Sequence, residues 1–149
     1  MSFKRQVHEH CQQLVEDQIA RSLQLIIEAQ TASNNDAKSS MGDKYETNRE
    51  MMALEISKAS EQLQESSKLK RVLSELNPDK KSASIGLGSL IETNIGVFYM
   101  SVSLGKLAVD NKDVFALSAV SPLGMALLKK QSGEEFEFNS RVIKIEAIK

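Results

Sequence analysis

Apolar residues recur at steps of three and four through the first part of the chain, at Phe3, Val7, Cys11, Leu14, Val15, Ile19, Leu23, Ile26 and Ile27. That spacing lays them along one stripe of a helix, and no Gly or Pro interrupts it from Phe3 to Asn34. A second stripe runs through Met52, Ile56, Ala59, Leu63, Leu69, Leu73 and Leu76. It weakens at Ser66 and Ser67, and Pro78 ends it. Between the two arms lies Thr31-Ala32-Ser33-Asn34-Asn35-Asp36-Ala37-Lys38-Ser39-Ser40-Met41-Gly42, small, polar and poor in apolar anchors, which is the composition of a turn. Two one-sided helices of matched length, each about 45 Å at a rise of ~1.5 Å per residue, bury their stripes against one another. Residues 1–77 therefore read as a long antiparallel coiled-coil helical hairpin with an acidic tip, the second helix starting near Asp43.

Beyond the linker at 78–81 the period changes. Ile85 to Ile91, Val97 to Leu104, Val114 to Ala119, Phe136 to Phe138 and Val142 to Ile148 read as strands, several of them alternating apolar with polar. One short helix interrupts them: Ser121 suits its cap, Pro122 its first position, and Gly124 to Lys130 carries it onward. Gly133 marks the turn into the next strand. Gly86-Leu87-Gly88 lacks the later glycine of a dinucleotide fingerprint and the Lys-Ser/Thr of a P-loop, so it reads as strand glycines at a bulge. Residues 82–149 thus form a small antiparallel sheet with one helix, and the chain as a whole is α+β.

Composition narrows the function classes. The 19 basic residues nearly balance the 20 acidic ones, and neither half departs far from neutral, which excludes a general nucleic-acid or membrane surface. There is no Trp and aromatics are few, so the core suits helix pairing better than a deep aromatic ligand pocket. The N-terminus lacks the apolar run of a signal peptide, no stretch is long enough to cross a bilayer, and the single Cys11 cannot form an intramolecular disulfide. A cytoplasmic location is expected, with no membrane partner.

Candidate chemistry is sparse. His8-Glu9-His10-Cys11 holds three possible metal ligands, and His8 and Cys11 share a helix face while His10 points elsewhere. With no other His or Cys in the chain these side chains alone cannot close a zinc site, and the expectation is a core Cys11 with two surface histidines. Both histidines lie on the first arm, so no Ser, His and Asp set suggests a triad. Gly42-Asp43-Lys44-Tyr45-Glu46 lies where the turn enters the second helix. Asp43 and Glu46, three apart, share a face, and two readings stand side by side. One is a variant capping box, Asp at the cap with Glu at the third position. The other is a carboxylate pair able to hold a hard cation inside a larger molecule. They compete in part, because a carboxylate occupied by backbone N–H groups is less available to a metal.

Two segments, in order, resemble the Gre transcript-cleavage factors of bacterial RNA polymerase. Ser121-Pro122-Leu123-Gly124-Met125-Ala126-Leu127-Leu128-Lys129-Lys130-Gln131-Ser132-Gly133-Glu134-Glu135-Phe136-Glu137-Phe138 is similar to the family's C-terminal pattern of Ser-Pro-apolar-Gly, an Ala-Leu helix, then Gly-acidic leading into an alternating strand. Gly42-Asp43-x-x-Glu46 is similar to the acidic motif at the family's hairpin tip. The resemblance implies a coiled-coil N-terminal domain and an FKBP-like C-terminal domain that docks at the rim of the polymerase secondary channel, with Ser121, Pro122, Leu123 and Gly124 as partner-binding candidates. It implies that Asp43 and Glu46 help hold a weakly bound Mg²⁺ jointly with the polymerase and assist cleavage of backtracked RNA near its 3′ end. Lys38, Lys44 and Arg49 are the candidates for RNA contact. On this reading the protein binds no cofactor by itself and has no active site of its own; it stimulates the polymerase's intrinsic cleavage. The competing readings are a channel-binding regulator without cleavage stimulation, an FKBP-like prolyl isomerase, and a coiled-coil adaptor.

Overall fold

A computed structural model of the chain describes the backbone of residues 2–36 and 42–149, and the side chains of residues 2–32 and 46–149. Two long helices come first, α1 (Phe3–Asp36) and α2 (Gly42–Glu75). They are followed by β1 (Leu90–Thr93), β2 (Gly96–Met100), β3 (Gly105–Val109), β4 (Lys112–Leu117), the short α3 (Pro122–Leu127), β5 (Glu135–Phe138) and β6 (Arg141–Ile148). By packing, the chain divides into a hairpin unit of residues 14–70 and a sheet unit of residues 1–13 and 71–149.

In the hairpin unit the two helices run antiparallel. Lys70 reaches Glu16 at 3.1 Å, and the Ser66 hydroxyl donates to Gln18 Oε1 at 3.2 Å, so positions advance on one helix as they retreat on the other. The seam differs from the sequence expectation on α1. Val15, Ser22 and Ala29, seven apart, are buried there, whereas Leu23 and Ile27 are about half exposed. A seven-residue repeat keeps to the shared face of a paired helix, while Leu23 and Ile27 drift off it. On α2 the buried positions Ala59 and Ser66 carry the same repeat, so the weakening of the stripe near Ser66 is a buried polar layer and not a break.

The six strands form one sheet in the order β3-β4-β2-β1-β6-β5. It is mostly antiparallel, with one exception that the sequence reading lacks: β2 pairs parallel to β4. The cause is β3, which takes the sheet edge beyond β4 and returns through a two-residue turn at Asp110 and Asn111, with φ of 51° and 61°. Positive φ at both central residues is the hairpin geometry that matches strand twist. What was expected as one strand from Val97 to Leu104 is therefore β2 followed by a bend, and β3, which that expectation did not include, begins just after it at Gly105, whose φ of 76° favours glycine. The expected strand from Ile85 is likewise mostly turn. Ser89 N donates back to Gly86 O at 3.1 Å, and Gly88 has φ of 87°, so these glycines shape the turn before β1 and do not sit in a strand bulge.

Each face of the sheet has its own cover within the sheet unit. On one face Ile85, Ile91, Phe98, Met100, Leu117, Leu127 and Ile145 form a continuous cluster, closed by Leu123 of α3 and by Phe136. Tyr99, neighbour of Phe98 and Met100 on β2, points the other way, toward the first turns of α1. There Lys4, Val7, His8 and Cys11 are buried, one helical stripe resting on the sheet.

Candidate functional site

The start of α3 is built from its own sequence. Ser121, with extended φ and ψ, is the cap. Its hydroxyl accepts from Gly124 N at 3.1 Å and donates to Ser118 O at 2.7 Å, while Pro122 occupies the first turn, where its missing N–H costs nothing. Gly124 is required for a steric reason: a Cβ there would lie 2.0 Å from Ser118 O, inside the contact distance of any real side chain. Leu123 is half-buried against the core. Of the four partner-binding candidates, then, Ser121, Leu123 and Gly124 have internal structural roles, and Pro122 alone is exposed.

Around Pro122 the structure exposes residues that sequence reasoning missed. Val120 is 81% exposed, Met125 60% and Leu128 36%. Pro122, Met125 and Leu128 are spaced by three, so a stripe at helical spacing opposite the buried Gly124 and Leu127 was the available signal. The helix is also shorter than expected. It ends at Leu127, and Lys129 has φ of 69°, which no helix continues through. Lys129 N then donates to Ile85 O, and Ile85 N to Lys130 O, both at 2.8 Å.

At the turn end of the hairpin, α2 opens at Gly42, so Asp43 already has helical backbone and Glu46 follows three residues later on the same face. Glu46 and Arg49 are exposed. The side chains of Asp43 and Lys44, the whole of Lys38, and the capping contact proposed for Asp43 lie outside the described residues. Two carboxylates of this kind offer hard oxygen donors suited to Mg²⁺, too few to complete its shell. Among the described residues no group of three or more His, Cys, Asp and Glu side chains stands together as a metal site.

The paired histidines separate. His10 is partly exposed, but His8 is buried, correcting the expectation of two surface histidines. Its Nδ1 lies 2.7 Å from the Tyr99 hydroxyl, and the two rings meet edge to face at 6.0 Å and 89°. Burial, with Arg5 and Lys4 one turn away, depresses the His8 pKa, against a smaller opposing pull from Glu9. Cys11 is fully buried and its thiol is pushed up to about 12 by desolvation. The Ser101 hydroxyl is near enough to counter that slightly, yet makes no hydrogen bond of proper geometry. Lys4 Nζ donates to Lys80 O at 2.8 Å and Lys149 O at 2.9 Å, its own pKa lowered mainly by burial. This cluster is a packing site: a neutral imidazole and an un-ionised thiol, neither activated.

No protein-family model matches the chain, and no curated protein matches it. Among solved structures the chain is similar to the transcription factor Gfh1, with 20% sequence identity, 92% of each chain covered and a TM-score of 0.36. A likeness of that extent does not assign a family. Among the described residues no helix is long and apolar enough to cross a membrane.

Proposed function

We propose that this chain is a Gre-like transcription elongation factor that binds bacterial RNA polymerase and stimulates cleavage of backtracked RNA. The observation that carries the reading is positional. The Gly42-Asp43-x-x-Glu46 motif opens the second helix of an antiparallel hairpin, at its turn, with Glu46 exposed. Support comes from the tail, where the Ser121-Pro122-x-Gly124 pattern builds the cap of α3 and leaves Val120, Pro122 and Met125 uncovered for a partner. In this role the sheet unit supplies affinity, and the hairpin turn supplies two carboxylates to the polymerase's active centre. A Mg²⁺ ion shared there would activate water for hydrolysis of the RNA backbone. The chain's own part is to place negative charge and oxygen donors; the remaining ligands are the polymerase's, so the isolated protein has no activity of its own.

The test is a purified backtracked elongation complex. Added protein should shorten the transcript from its 3′ end, and Asp43→Asn with Glu46→Gln should abolish this while still competing with the parent chain for polymerase. Full cleavage by the double variant would leave the pair with a capping role only. A second reading has its own observation: Lys44 lies between the two acids and exposed Arg49 follows Glu46 by three. These cations oppose capture of a divalent ion. Binding to polymerase without any shortening of the transcript would establish a channel-binding regulator instead.

A further inference from the structure

We draw no further inference here: the strongest candidate, the open groove between α1 and α2 lined by Arg21, Leu25, Lys58, Glu61 and Glu65, mixes opposite charges, and nothing in the structure shows what covers it.

Discussion

Replacing Tyr99 with Phe tests how the first turns of α1 are fastened to the sheet. The substitution keeps the ring and its edge-to-face contact and deletes only the hydroxyl that meets His8 Nδ1 at 2.7 Å. His8 is 4% exposed, so its ring nitrogen would be left without that partner out of reach of bulk water. Leaving a buried polar group unsatisfied costs about 1–3 kcal/mol, and Tyr99→Phe should lose that much at pH 8 in urea unfolding followed by circular dichroism. The pH dependence has a definite sign. Burial holds the folded His8 pKa below its ordinary value near 6.5, so between those two values the unfolded chain binds more protons. Stability should therefore be level above about pH 6.5 and decline as pH falls from there toward the folded pKa. His8→Phe cannot titrate, and the difference between its profile and the parent's isolates the effect from that of the carboxylates. A parent whose stability does not change from pH 7 to 5 relative to His8→Phe, or a Tyr99→Phe variant as stable as the parent, would refute the argument.

Other outcomes follow from single contacts. Gly124→Ala should destabilise the sheet unit by at least about 2 kcal/mol, since the new methyl meets Ser118 O; Ser121→Ala, which loses only the cap, should cost about 1 kcal/mol, both read from urea midpoints. Lys4→Ala should cost about 1–3 kcal/mol by the same measurement, because Lys80 O loses the ammonium that donates to it and Lys149 O is left with Leu90 N alone. Replacing Asp110-Asn111 with Asn-Gly should raise thermal stability, since both residues already hold positive φ and that pair adopts it with less strain. Cys11, with its thiol pushed up to about 12, should resist iodoacetamide at pH 8 in the folded protein and react once urea unfolds it.

The hairpin was legible because its information is local. Apolar residues at helical spacing, no Gly or Pro within either arm, and a polar middle segment locate two helices without any knowledge of their partners, although α1 runs on to Asp36, through half of the segment expected as turn. The cap at Ser121 was legible for the same reason: Ser-Pro followed by a glycine is local chemistry. The strand count failed where the signal was weaker than the tertiary cause. Leu107 and Val109 alternate with Lys106 and Ala108 as an edge strand should, yet the run is short and Asp110-Asn111 is a less familiar turn pair than Asn-Gly. The parallel pairing of β2 with β4 depends on where β3 is placed, which no window of sequence encodes. His8 was misread because a helix stripe shows which side is apolar and not what covers it. Only the fold reveals that a sheet residue, Tyr99, offers the imidazole a hydroxyl. Asp43 and Glu46 remain a reading of spacing and position, with Glu46 alone seen to be exposed.

The strand order has a consequence for behaviour at high concentration. An open sheet ends in two rows of unpaired backbone groups, each a template on which another chain can lengthen the ladder. Here those rows belong to β3 and β5, and both are poor templates. β5 is four residues long and sets Glu135 and Glu137 outward along it. β3 begins with a glycine of positive φ followed by exposed Lys106, whose ammonium is drawn back to Asp113 on the neighbouring strand. A second copy approaching β5 edge to edge would bring glutamate against glutamate, and one approaching β3 would have to desolvate a lysine. The borders of the sheet thus discourage fibre-like growth by addition of a further strand.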